Sequence, residues 1–141
     1  SRLSPEHFWA KQGPHAAPTS IERQITDVVC PMYSPIDLIV KWARWAERSQ
    51  LDDRPLILCE YSHAMGNSNG SISAYVAAFF SEPALAGGFV WDWRDQGLAE
   101  VDEAGRAYWA YGGHFGDEPN DANFCINFLV GPYVQPHPCL R

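Results

Sequence analysis

An α/β fold built from parallel strands is what this sequence predicts, and three observations carry the prediction. Short apolar runs alternate with stretches of helical periodicity in the order β-α-β-α-β. The strand centres fall about 30 residues apart, the length of a strand, a crossover helix and a second strand. The clearest run, Leu56-Ile57-Leu58-Cys59, is continuously apolar, as a parallel strand buried on both faces must be.

The elements follow in order. Residues 1–24 are broken by Pro5, Gly13, Pro14 and Pro18 and read as loop, with one helical turn near residues 6–11. Residues 27–30 form a short buried strand that runs into a loop at Met32 and Tyr33. A helix starts at Ser34-Pro35: Ser caps, Pro suits the first turn, and Asp37 suits the dipole. Ile36, Ile39, Val40, Ala43 and Ala46 continue it at helical spacing over about 36–48. Asp52-Asp53-Arg54-Pro55 is a turn, and the Leu56–Cys59 strand ends on Glu60. After the flexible stretch 66–70, Ile72, Tyr75, Val76 and Phe79 mark a second helix over 70–80, closed by Pro83 and Gly87-Gly88. A third strand is expected over 88–92, leading to Trp91, Asp92 and Trp93, with both helices on one common side of the three strands. Residues 97–141 lose the rhythm and read as long loops over one end of the sheet, of the kind that often carry function.

Composition narrows the function. The apolar fraction of 46% supports a packed core rather than disorder. A formal net charge of -7 argues against nucleic acid, which needs a basic footprint, and against an anionic membrane surface. No apolar run approaches the roughly 20 residues of a membrane span, and no signal-peptide pattern opens the chain. Cys30, Cys59, Cys125 and Cys139 form no C-x-x-C pair, which argues against a zinc site or a disulfide scaffold and suits a reducing cytoplasm. Six Trp among 13% aromatics fit core packing, or flat faces for sugar rings.

The alternation is hosted by two folds, a (β/α)8 barrel and an open doubly wound sheet; no phosphate-binding glycine fingerprint favours the second. In both, sites gather at the C-terminal ends of strands. That rule selects Met32 and Tyr33, then Glu60, Tyr61 and His63, then Trp91, Asp92 and Asp95. Glu60 directly follows an apolar run, where a carboxylate is costly unless paired or used. Either a catalytic Glu or one bonded to a neighbouring strand's Arg or Tyr fits its position. His63 fits a substrate ligand or a histidine bonded to a backbone carbonyl. Asp92 and Asp95 fit acid–base partners of Glu60, or caps of the following turn. A metal set from His63, His114, Asp92 and Asp117 matches no ligand spacing, and no G-x-S-x-G elbow offers a serine nucleophile.

The stretch Ile57-Leu58-Cys59-Glu60-Tyr61-Ser62-His63-Ala64-Met65-Gly66-Asn67-Ser68 resembles the nucleophile segment of the large β-galactosidases of glycoside hydrolase family two. Cys30-Pro31-Met32-Tyr33, Gly87-Gly88-Phe89-Val90-Trp91-Asp92-Trp93, Tyr111-Gly112-Gly113 before Phe115-Gly116-Asp117, Asn120-Asp121 with Phe124-Cys125-Ile126-Asn127, and Pro136-His137-Pro138 agree in order. The match covers residues 25–141, with 1–24 poorly matched. The resemblance implies the C-terminal part of a TIM-barrel catalytic domain: its last three strands and the loops after them. It implies retaining hydrolysis of terminal β-D-galactose residues, with Glu60 as nucleophile. His63, Trp91, Met32, Tyr33 and Asn127 would line the galactosyl site, and the Phe124 carbonyl and the Asn127 side chain would bind sodium. Magnesium ligands are implied upstream, as is the general acid, which ends an Asn-Glu segment; no Asn-Glu dipeptide occurs in this chain. A cytoplasmic homo-oligomer is implied for the full-length enzyme. The alternative is a non-catalytic fragment with at most residual sugar binding. Three departures stand out. Ser62 replaces the usual Ala. His114 replaces the usual Asp and removes a carboxylate from its loop. Phe128 replaces the usual Gly, where a bulky side chain is expected to disturb the loop that presents Asn127.

Overall fold

A computed structural model describes residues 26–66 and 69–140. The expected loop and helical turn of residues 1–24 lie outside the described residues. The described residues divide into two units, one comprising 26–61 and 72–89, the other 62–66, 69–71 and 90–140.

The first unit contains the parallel α/β arrangement. Helix α1, Ile36–Ser49, precedes strand β1, Leu56–Tyr61; helix α2, Ile72–Ser81, precedes strand β2, Leu85–Val90. β1 and β2 are neighbours in one sheet. The Leu56 N–H donates to the Ala84 carbonyl at 2.9 Å at one end, and Gly88 lies against Leu58 and Tyr61 toward the other, so both strands run the same way. On the opposite edge of β1 the expected 27–30 strand is reduced to two parallel bridges, Val29 with Leu56 and Met32 with Glu60. Pro31 explains the break, since it has no N–H to give the ladder.

α1 buries Ile39, Trp42, Ala43 and Ala46, one stripe at i, i+3, i+4 and i+7. Its start differs from the expectation. Pro35 holds the cap position and no side chain caps the helix, while Ser34 is buried and its carbonyl accepts the Tyr75 hydroxyl at 3.1 Å. α1 and α2 pack against each other, and Arg44 pairs with Glu82 at 2.7 Å. Tyr75 and Phe79 of α2 pack on Tyr61 of β1, with ring centroids 4.9 and 5.5 Å apart. The expected turn at 52–55 is closed by a buried pair: Arg54 grips both carboxylate oxygens of Asp52, at 2.9 and 2.8 Å.

β2 begins three residues before the expected strand, and Gly87-Gly88 lie inside it rather than ending α2. A Cβ at Gly88 would sit 2.9 Å from Leu58 Cβ and 3.0 Å from Tyr61 Cδ1. The glycine therefore marks a close approach of two strands, not a stop.

The second unit corrects the expectation of a structureless tail. Strands β3, Leu98–Val101, and β4, Ala107–Ala110, pair antiparallel in the register Leu98 to Ala110 and Val101 to Ala107. Asp102 organises the turn between them. Its carboxylate accepts the N–H groups of Ala104 and Arg106, each at 2.9 Å, and the Arg106 side chain at 2.7 Å. These bonds, the Arg106 N–H first, hold the Asp102 carboxyl below the usual carboxylate range. Short 3-10 turns follow at Ala122–Cys125 and Pro138–Leu140. Phe128, Leu129 and Val130 form a buried run in this unit.

Candidate active site

In the first unit, sequence-selected residues meet at the C-terminal end of β1. The parallel bridge sets Met32 beside Glu60, and the Tyr33 N–H donates to the Glu60 carbonyl at 2.8 Å. Tyr33 adopts a left-handed backbone, φ 54°. That conformation is costly for a bulky residue and persists where the surroundings over-determine it. The turn returns the phenol toward the strand, where it interacts with the Glu60 carboxylate. Partial burial, then that interaction and the Glu60 charge, push the Tyr33 pKa well above the usual tyrosine value. The phenol thus stays neutral over the ordinary pH range. Glu60 is therefore a strand-end carboxylate with a neighbouring Tyr beside it. Cys59 packs behind it, with Sγ 3.6 Å from the Pro31 carbonyl; burial, chiefly, raises its thiol pKa.

In the second unit, His63, Trp91, Phe124, Asn127 and Phe128 are brought together. The His63 ring stacks on Phe124, with centroids 5.4 Å apart and planes at 28°. His63 Nε2 lies 3.4 Å from Asn127 Nδ2, a contact that needs the tautomer protonated on Nδ1. Trp91 is held by its carbonyl, which accepts the Ala64 N–H at 2.8 Å, and its ring meets Phe124 and Phe128. Two polar atoms of this cluster, Asn127 Oδ1 and Trp91 Nε1, are buried without a hydrogen-bond partner among the described residues. An open cavity of about 620 Å³ is lined in part by Asn69, Asn127, Phe128 and His137.

Asp92 and Asp95 serve as ties. The Asp92 carboxylate accepts the N–H of Trp93, and its carbonyl accepts Leu129 N–H at 3.0 Å. Asp95 is buried with both oxygens engaged, one by the Phe128 N–H and one by His137 Nε2, each at 2.9 Å. His114 and Asp117 close their own loop. His114 Nδ1 accepts the Tyr111 N–H at 3.0 Å, and Asp117 Oδ1 accepts the Gly113 N–H at 2.9 Å. Among the described residues, no three His, Cys, Asp or Glu side chains gather as a metal site would require.

Phe128 is accommodated inside its loop. The ring is buried, its N–H is bonded to Asp95, and Asn127 remains buried beside it. Sequence reasoning missed this contact and the Asp95–His137 tie. Both join residues more than 30 positions apart, and no local pattern marks them.

Residues 9–141 match the sequence profile of the glycosyl hydrolases family 2, TIM barrel domain. The chain belongs to that family. Its family 2 relatives include the β-galactosidase of Yersinia enterocolitica, 50% identical over 145 residues, and that of Pseudoalteromonas haloplanktis, 49% identical over 144. Each alignment covers 94% of this chain and 14% of the relative. β-Galactosidase 2 of Enterobacter cloacae is 54% identical over 123 residues, 82% of this chain and 12% of that protein. This family 2 sequence thus spans about a seventh of the length of the curated relatives it matches. Among the described residues no helix is long and apolar enough to cross a membrane.

Proposed function

We propose that this chain supplies the nucleophile half of a retaining β-galactosidase, as the last three strands of its barrel and the loops that follow. The observation that carries the reading is Glu60 at the C-terminal end of a parallel strand, with the Tyr33 N–H bonded to its carbonyl. Glu60 attacks the anomeric carbon of a terminal β-galactoside, and the bond to the leaving oxygen breaks as a general acid protonates it. Water, deprotonated by the same acid residue, then cleaves the glycosyl ester and frees Glu60 with net retention. The two carboxyl groups must stand only about 5–5.5 Å apart. The acid is assigned to an upstream segment of the larger enzyme, because both oxygens of Asp95 are engaged and no Asn-Glu dipeptide occurs here.

His63, Trp91, Met32, Tyr33 and Asn127 are assigned to the galactosyl group. Sodium is assigned to the Asn127 side chain and the Phe124 carbonyl. A buried amide oxygen with no partner among the described residues fits a hard cation, which takes oxygen ligands. Bound there, the ion would supply a fixed positive charge for sugar oxygens. Magnesium ligands are assigned upstream. Three free thiols, Cys30, Cys59 and Cys125, support a reducing cytoplasm, and the full-length enzyme is read as a homo-oligomer.

The 141 residues alone are expected to be inactive. They lack the acid, and β2 has no partner on its outer edge among the described residues. The test compares hydrolysis of a chromogenic β-galactoside by the full-length enzyme, its Glu60→Gln variant and the 141-residue chain. Glu60→Gln should cost at least about a thousandfold in kcat, and the short chain should show no turnover. Near-normal turnover by Glu60→Gln, or robust turnover by the short chain, overturns the reading.

A further inference from the structure

Phe128 stands where the family resemblance places a glycine, yet it is only 3% exposed. Its backbone is tied along residues 92–95 by three consecutive N–H groups. Phe128 donates to Asp95 Oδ1 at 2.9 Å, Leu129 to the Asp92 carbonyl at 3.0 Å, and Val130 to the Trp93 carbonyl at 3.0 Å. These bonds deliver the ring to Trp91. The two rings meet edge-on, with centroids 6.3 Å apart and planes at 80°. Phe124 contacts the same indole at 6.5 Å and 39°. Both separations lie in the range where aromatic pairs attract. A glycine at 128 would leave Phe124 as the only aromatic ring against Trp91 among the described residues.

We propose that Phe128 is a positioning residue for Trp91, holding the indole in one orientation and so setting the affinity of the galactosyl site. The inference rests on the reading that Trp91 contacts the sugar. An indole with space beside it samples orientations that do not bind, and apparent affinity falls by the fraction that remains competent. A rigid aromatic surface surrenders less side-chain freedom on binding. The effect should therefore appear in KM and in inhibitor affinity more than in kcat.

The test uses the full-length enzyme with Phe128→Gly, Phe128→Leu and Trp91→Leu, alone and combined. KM and kcat for 4-nitrophenyl β-galactoside, Ki for a non-hydrolysable β-thiogalactoside, and melting temperature are read in parallel. Phe128→Gly should raise KM and Ki roughly three- to tenfold, with kcat within about twofold of wild type. Phe128→Leu should fall between the two. In the Trp91→Leu background neither change should raise KM further, a non-additivity that a merely structural role would not produce. If Phe128→Gly does not fold, Phe128→Leu carries the same comparison. Unchanged KM and Ki, or effects that add in full to Trp91→Leu, overturn the inference while leaving the β-galactosidase reading intact. A wild type that cannot hydrolyse the substrate overturns that reading, and this inference with it.

Discussion

The Tyr33 N–H donates to the Glu60 carbonyl at 2.8 Å, and the Tyr33 phenol interacts with the carboxylate of the same Glu60. The backbone bond ties the Tyr33 turn to the strand end. Because the phenol pKa is raised, the hydroxyl keeps its proton past the ordinary tyrosine range.

Tyr33→Phe removes the phenol's polar interaction with Glu60 and leaves the backbone bond. A hydrogen bond to a charged group is worth about 1.5–3 kcal/mol. kcat/KM should fall about tenfold or more, with little change in melting temperature. The alkaline limb of the pH–rate profile should keep its position below about pH 10, because the raised phenol pKa excludes tyrosinate formation there. Steady-state kinetics of the full-length variant across pH check both points; a limb that vanishes with the substitution would contradict them.

Asp95 ties two segments through both of its carboxylate oxygens, and the proposed function leaves it no acid role. Asp95→Asn keeps the shape and one acceptor but weakens the grip on the Phe128 N–H and on His137. A cost of about 1–3 kcal/mol in stability is expected from the loosened buried bonds. kcat for an aryl galactoside should fall less than about tenfold, against the hundredfold or more expected on losing a general acid. Unfolding curves and kcat measured on the same preparation separate the two roles.

Gly88→Ala should destabilise by about 1–3 kcal/mol, because the new methyl meets Leu58 Cβ and its backbone carbonyl, atoms that cannot swing away. Gly70→Ala is the control: nothing lies within 4 Å of its Cβ position. Denaturant midpoints of the two variants should differ clearly. Equal midpoints would show that β2 can shift away from β1.

The same glycine shows how far a sequence reading reaches. α1 was legible because Ile39, Ala43 and Ala46 repeat at helical spacing and do face the core. β1 was legible as an unbroken apolar run ending in Glu60. The start of β2 was not, because a Gly-Gly pair looks the same in one dimension whether it breaks a helix or lets two strands touch. The β3–β4 hairpin was missed for a related reason. Its turn is set by the Asp102 carboxylate and by Gly105 at φ 77°, within a polar stretch that carries no two-residue hairpin signal. Of the candidate site, strand-end placement picked out Met32, Tyr33, Glu60, His63 and Trp91. The Tyr33–Glu60 bond and the ring contacts of Trp91 depend on register and loop closure, which residue spacing does not encode.

The central claim is that Glu60 forms the covalent glycosyl intermediate. The full-length enzyme, incubated with a 2-deoxy-2-fluoro-β-galactoside bearing a good leaving group and then digested, reports this directly by mass spectrometry. The fluorine slows both steps and the leaving group restores the first, so the intermediate accumulates. A fluorogalactosyl adduct on Glu60, absent in Glu60→Gln, is the result expected. An adduct mapped to Asp92, Asp95 or any other residue would contradict the account.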